Sequence, residues 1–168
     1  MGLNWTARPV PGKSMFNLDL GVGYAVVLNL LKEYEIALGV IRIDNSRPMR
    51  LDFCSNQEVI LLKTINDENY DWQSDVALMY FEGGNLTSIT TYLNEPYSYR
   101  GFICDGVGLG DEIRQLEKCF VLEYSDADES IYIRNDGKLN GLVLHGASCD
   151  LSTDPTQKIC AMKVFLVD

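Results

Sequence analysis

Apolar residues recur at the spacing of an amphipathic helix in two places, each time shortly after a Leu-Gly pair. In the second stretch, Ile113, Leu116 and Phe120 occupy positions i, i+3 and i+7. The equivalent positions of the first stretch hold Tyr24, Val27 and Leu31. These stripes predict two short helices. The first, over about 22–34, is apolar around most of its circumference, so we expect it to be buried on two sides.

Between and after these stretches the pattern changes to the aliphatic or alternating runs that are typical of strands. The runs lie at 37–43, 49–53, 59–65, 76–81, 86–93, 121–124, 130–134, 139–145 and 159–167. Two turn sequences, Glu82-Gly83-Gly84-Asn85 and Asn135-Asp136-Gly137-Lys138, predict β-hairpins, because Gly-Gly and Asp-Gly suit tight two-residue turns.

The order of these elements predicts an α+β fold made of two tandem units, each a helix followed by an antiparallel meander. The units span about 15–96 and 101–168 and pack as one domain over 1–168. Aligning the two hairpins places three apolar pairs together, namely Tyr80 with Ile133, Leu86 with Leu139, and Ile89 with Leu142.

A glycine-led helix and a meander, present twice, resemble the architecture of the beta-lactamase-inhibitory proteins and are similar to many small bacterial toxin-immunity proteins. The resemblance lies in Leu20-Gly21, Leu109-Gly110, the helical stripes and the two hairpins. It implies a fold and a binding role. It implies no site residue, because those positions are not functional signatures.

Charge narrows the classes of partner. The chain has 24 acidic and 14 basic residues among its 168, which gives a formal net charge of −10. Such a field repels nucleic acid and anionic lipid and attracts basic partners. We therefore expect a protein partner with a basic surface, and neither a nucleic acid nor a membrane.

The cysteines and the first residues bear on the compartment. The five cysteines, an odd number, include no Cys-x-x-Cys pair, which favours reduced thiols over a disulfide framework or a zinc site. Residues 1–14 lack the apolar segment of a secretory signal. No run approaches the roughly 18 apolar residues of a membrane helix. These features favour a cytoplasmic protein over the alternative, a protein from which a leader has been removed.

No residue pattern predicts catalysis, a metal or a cofactor. His145 is the only histidine, which excludes most metal sites and catalytic triads. The Gly106-x-Gly108-x-Gly110 sequence lacks the spacing and the lysine of phosphate-binding loops. Asp126, Asp128 and Glu129 lack the twelve-residue calcium-loop pattern.

The best candidate for a contact surface is the acidic and aromatic stretch 66–75. Tyr and Trp are common interface anchors, and carboxylates steer a basic partner. The candidate residues are Asp67, Glu68, Tyr70, Asp71, Trp72 and Asp75, with Asp126, Asp128 and Glu129 as a second candidate group. The alternative is a solvated loop whose Trp72 covers the core.

These observations favour a non-enzymatic binding protein, most concretely an immunity-type inhibitor that neutralises a toxin or another enzyme by direct contact. Two alternatives remain open. The first is a small enzyme that uses scattered carboxylates or a cysteine, and the second is a structural or adaptor domain.

Overall fold

The computed structural model describes residues 2–54, 56–65 and 74–167. Within these residues the chain forms twelve β-strands, a nine-residue α-helix and a six-residue 3-10 helix. The first two strands, β1 (Ser14–Met15) and β2 (Leu18–Asp19), form a small ribbon of their own. No helix in these described ranges is both long enough and apolar enough to cross a membrane.

The other ten strands form one antiparallel sheet in the order β3-β4-β5-β6-β7-β8-β12-β11-β10-β9. In chain order they are β3 (Glu35–Ala37), β4 (Val40–Ile41), β5 (Met49–Phe53), β6 (Val59–Lys63), β7 (Asp75–Glu82), β8 (Asn85–Tyr92), β9 (Val121–Ser125), β10 (Ser130–Asn135), β11 (Lys138–His145) and β12 (Ala161–Phe165). The last strand therefore lies inside the sheet, between β8 and β11.

The prediction of an α+β fold with two helix-plus-meander units is wrong. The strands of both halves join into one sheet, because β12 pairs with β8 as well as with β11. The described chain is mostly β, and its two helices are too short to cover a separate sheet each. In the ten-stranded sheet of the described residues, β3 and β9 are the two edge strands. Each has a neighbouring strand on one side only.

The helical stripe of the first half is confirmed, but its extent and burial differ from the prediction. Helix α1 (Tyr24–Lys32) buries Tyr24, Val27 and Leu31. The opposite side, which includes Val26 at 60% exposure, faces solvent. The helix therefore covers the sheet with one side, and the expectation of burial on two sides is wrong.

The second predicted helix is a 3-10 helix over Ile113–Lys118. Ile113 and Leu116 are buried as expected, since residues three apart also share a face in a 3-10 helix. Phe120 lies beyond the end of the helix, so the third position of the stripe does not belong to it.

Both predicted hairpins are confirmed. β7 pairs with β8 around Gly83-Gly84, and β10 pairs with β11 around Asp136-Gly137. All four turn residues have positive φ, as a type I′ turn requires. The predicted alignment fails in its first pair, because Tyr80 is 42% exposed whereas its supposed equivalent Ile133 is fully buried.

The two faces of the sheet differ in character. The first face carries the hydrophobic core, and the Tyr24 ring of α1 meets the Phe81 ring of β7 there at 5.0 Å. The second face carries a row of residues paired from strand to strand across the sheet. In the order β5, β6, β7, β8, β12, β11, β10, β9, that row is Asp52, Leu61, Leu78, Thr90, Lys163, Val143, Tyr132 and Glu123.

A disulfide joins Cys104 to Cys119, which contradicts the expectation of five reduced thiols. The bond connects the end of the 3-10 helix to the loop that precedes it in the chain. Cys54, Cys149 and Cys160 are free. Counting and spacing alone did not identify the pair, because 14 residues separate partners that the fold brings within 6.8 Å between Cα atoms.

Candidate functional site

The β9–β10 turn positions three of the predicted contact residues, Asp126, Asp128 and Glu129. The Asp128 carboxylate accepts hydrogen bonds from the hydroxyls of Ser125 and Tyr132. Both bonds lower the pKa of Asp128, and the bond to Asp128, followed by desolvation, raises the pKa of Tyr132 to about 12. The negative charge of Asp128 is therefore stabilised by hydrogen bonds to two neighbouring residues of the protein.

Asp126 and Glu129 take part in a different arrangement, centred on Tyr124. The Tyr124 hydroxyl donates a hydrogen bond to the Ser148 carbonyl at 2.9 Å. Desolvation raises the pKa of this hydroxyl most, and nearby acidic groups raise it further. These groups are Asp126, Glu129, Cys149 and Asp150.

We call Tyr124, Asp126, Glu129 and Asp150 the Tyr124 surface. Asp150 remains ionised at neutral pH, because hydrogen bonds from Ser152 lower its pKa. An aromatic side chain with carboxylates near it is complementary to a cationic protein surface, because the ring supplies contact area and the carboxylates supply opposite charge.

A shallow cleft of about 280 Å³ adjoins the Tyr124 ring. Apolar side chains form part of it, and an exposed ion pair between Arg114 and Glu117 stands at its margin, with 3.4 Å between Nε and Oε2. The apolar lining residues are Leu122, Ile131 and Leu151. A bulky side chain of a partner would find apolar contact in the cleft beside the acidic groups.

Most of the first predicted contact group lies outside the described residues, namely Asp67, Glu68, Tyr70, Asp71 and Trp72. Their role stays a prediction. Asp75 is described, and it forms an ion pair with Lys63 at 3.3 Å between Oδ1 and Nζ. Both side chains are largely buried, so the Asp75 charge is compensated within the protein.

The single histidine has a hydrogen-bonded serine beside it. Ser130 Oγ lies 3.0 Å from His145 Nδ1 and donates its own proton to the Asp128 carbonyl at 2.8 Å. The serine hydroxyl must therefore accept from Nδ1, which assigns the imidazole proton to that atom. Since Ser130 is only 1% exposed and its proton is engaged, the pair does not resemble a nucleophile with its base.

One group among the described residues has the composition of a metal site. Cys104, Asp105 and Cys119 bring their ligand atoms within 4.8 Å of one another. The two sulfur atoms are bonded to each other, so neither is a thiolate that could bind a metal ion.

Comparison with known proteins does not place the chain in a family. No protein-family model and no curated protein matches it. Among solved structures, the chain is similar to a cysteine-rich secretory protein from Staphylococcus aureus, with a TM-score of 0.38 and 7% sequence identity. The match covers 99% of this chain and 50% of that protein, so the chain spans half the other protein's length. A similarity this low assigns no function.

Of the four residues of the Tyr124 surface, the sequence analysis names Asp126 and Glu129 as candidates but not Tyr124 or Asp150. Tyr124 reads as one apolar residue of a strand, and Asp150 lies 21 residues or more from the turn in the chain. The sequence carried no signal for either residue, because only the fold brings the 148–150 loop to the end of β9.

The His145 environment predicts a pH dependence of stability. Burial and the nearby Lys163 charge lower the pKa of His145 below 6.5, although Asp128 opposes them. As the pH falls, the unfolded chain binds this proton before the folded protein does, so stability falls. We expect the urea midpoint of the native protein to decrease more between about pH 7.5 and pH 5.5 than that of His145→Gln.

The substitution leaves no histidine in the chain, so the difference between the two curves isolates this side chain. Unfolding followed by circular dichroism at several pH values would measure it. Identical pH dependence of the two proteins would contradict the proposed burial of a neutral imidazole.

Proposed function

We propose that the protein is a non-enzymatic binding protein that recognises a basic surface of another protein through the Tyr124 surface. The observation that carries the proposal is the position of Tyr124, at the end of the strand that leads into the Asp126 and Glu129 turn and in the cleft that Asp150 also lines. The raised pKa of its hydroxyl, caused by desolvation and then by these acidic groups, agrees with this position. Each carboxylate alone is ordinary. Three of them around a half-exposed aromatic ring supply both steering charge and packing area.

The position of Tyr124 supports this role. Its strand, β9, lies at an edge of the sheet and, among the strands of the described residues, pairs only with β10. The ring is half-buried against the core, so it is held in place, while its hydroxyl end remains accessible beside the 280 Å³ cleft. An ordered ring loses little conformational freedom on binding, which favours affinity.

The net charge of −10 gives the whole molecule a negative electrostatic field of the same sign as that of the Tyr124 surface. Association with a cationic partner would therefore be fast at low salt and slower as salt screens the charges. The most concrete form of this activity is an immunity-type inhibitor that occludes a basic toxin or enzyme, and the tests below apply to any such partner.

The Cys104–Cys119 disulfide bears on where the binding takes place. Disulfides persist in oxidising compartments and are rare in the cytosol. We propose that the protein acts in such a compartment and not in the cytoplasm predicted from its sequence. Alkylation without reductant of protein isolated from its native host should leave Cys104 and Cys119 unlabelled. Labelling of all five cysteines would return the protein to a reducing compartment.

The test of the binding surface compares two triple variants with equal changes in net charge. Asp126→Asn, Glu129→Gln and Asp150→Asn neutralise the Tyr124 surface. Asp19→Asn, Glu33→Gln and Glu82→Gln neutralise three exposed carboxylates elsewhere. A partner recovered from the native host would be purified and its association measured at two salt concentrations.

We expect the first triple variant to slow association far more than the second, and to make the rate less dependent on salt. Tyr124→Ala should instead raise the dissociation rate and weaken binding about tenfold. Equal effects of the two triple variants would show that only net charge matters and would overturn the assignment of this surface.

A further inference from the structure

The second face of the sheet contains a cavity of about 680 Å³, open to solvent. It lies across four neighbouring strands, β7, β8, β12 and β11, and its floor is formed by residues of the paired rows. The lining residues are Asp75, Leu78, Thr90, Tyr92, Leu93, Asn94, His145, Cys160, Ala161 and Lys163. A volume of this size with a mainly apolar lining and a few polar groups is typical of small-molecule sites.

The charges in the cavity do not cancel. Lys63 pairs with the Asp75 carboxylate at 3.3 Å, and this pair is largely buried. Lys163 lies in β12, opposite Thr90 of β8 on one side and Val143 of β11 on the other. It takes part in none of the ion pairs found among the described residues. His145 is neutral at neutral pH, because burial and Lys163 lower its pKa. Among the described residues, Lys163 is thus the one charged group of the cavity without an ion pair, in a protein of net charge −10.

Two further groups define the polar end of the cavity. Because Ser130 fixes the proton of His145 on Nδ1, the Nε2 atom is left as a hydrogen-bond acceptor. The Tyr92 hydroxyl keeps its proton at neutral pH, because desolvation and the Asp75 charge raise its pKa. At this end the cavity therefore offers a cation at Lys163, a neutral donor at Tyr92 and a neutral acceptor at His145.

The apolar part lies beside this polar end. Leu78 and Ala161 occupy the same face in neighbouring rows, and Leu93 is 37% exposed. Apolar surface left exposed in a concave site is stabilised when a ligand covers it. The ligand that matches both parts has an apolar body and a single negative charge at one end.

We propose that this cavity binds a small apolar monocarboxylate, whose carboxylate pairs with Lys163 and whose hydrocarbon body lies against Leu78 and Ala161. One lysine compensates one negative charge. A phosphate or a polyanion would be compensated only in part, and the field of the acidic protein would repel it. The cavity lies on the opposite face from Tyr124, which pairs with the core residue Ile131, so this proposal does not rest on the proposed function.

The test compares two probes that differ only in charge at the polar end, 4-phenylbutyrate and 4-phenylbutanamide. Binding to the full chain would be measured by isothermal titration calorimetry, and the site would be located from methyl chemical shifts of Leu78 and Ala161. We expect the acid to bind about tenfold or more tightly than the amide, because a charge-assisted contact is lost in the amide.

Variants then assign the charge to Lys163. Lys163→Met should remove the preference for the acid over the amide, and Lys163→Arg should retain it. Lys138→Met, at the exposed β10–β11 turn, removes an equal charge at the other end of β11 and should have little effect.

Several results would overturn the proposal. They are equal affinity for the acid and the amide, absence of binding by both, methyl shifts confined to another surface, and a preference for the acid that survives Lys163→Met. If Lys163→Met does not fold, the affinities of the unchanged protein for the two probes still test whether the cavity prefers a carboxylate.

Discussion

Replacing Cys104 and Cys119 together by serine is expected to lower the free energy of unfolding by about 3 kcal/mol. The disulfide closes a loop with a sequence separation of 15 residues, and removing it enlarges the conformational freedom of the unfolded chain. The bond also holds the end of the 3-10 helix, whose Ile113 and Leu116 are part of the core. Urea unfolding of both proteins under non-reducing conditions would measure the loss.

The matched control is Cys54→Ser with Cys160→Ser, which removes two exposed free thiols. This control should change stability by no more than about 0.5 kcal/mol, as surface substitutions usually do. The native protein in reductant should approach the stability of the Cys104→Ser, Cys119→Ser variant. Unchanged stability in that variant would mean that the 3-10 helix is held by packing alone.

Gly141→Ala is expected to destabilise the protein by about 3 kcal/mol, because steric overlap and backbone strain add at this site. The φ of Gly141 is +81°, and a Cβ atom here would lie 2.4 Å from the backbone of Gly12 and 2.7 Å from the Phe165 carbonyl. Both neighbours are backbone, so neither side can move aside by changing a rotamer. The hydrogen bond from the Gly12 amide to the Gly141 carbonyl, 3.2 Å long, holds them together.

Gly137→Ala provides the control in the same hairpin. Its φ is +76°, but a Cβ atom at Gly137 has no neighbour within 4 Å, so only the strain remains. We expect a loss of about 1 kcal/mol there. Chemical unfolding of the two variants side by side separates the steric term from the strain. Equal losses would show that the N-terminal segment does not pack against β11 as tightly as the structure has it.

Local patterns predicted local structure well and its assembly poorly. The Gly-Gly and Asp-Gly turns determine their hairpins through φ alone, and both hairpins are present. The stripe of Ile113 and Leu116 is compatible with either helix type, because residues three apart share a face in both. The pairing of β12 with β8 depends on contacts between distant residues, for which a single sequence carries no local signal.

The candidate site likewise contains residues that the sequence indicates and residues that only the fold brings to it. The acidic turn with Asp126 and Glu129 was visible because its charges are contiguous in the chain. Tyr124 and Asp150 belong to it only through the fold, which brings the 148–150 loop to the end of β9. The cavity on the second face escaped prediction for a similar reason, since Lys163 and Leu78 become neighbours only when β12 enters the sheet.

The interior place of β12 has a consequence for biosynthesis. Because a ribosome delivers the chain from its N-terminus, β8 and β11 are made before the strand that joins them. Until 161–165 leave the exit tunnel, both strands present unpaired backbone edges, one at Asn85–Tyr92 and the other at Lys138–His145. Such edges are templates for pairing with other chains. Nascent chains are thus exposed to aggregation until residues 161–165 emerge, and a holding chaperone would protect them best during that interval.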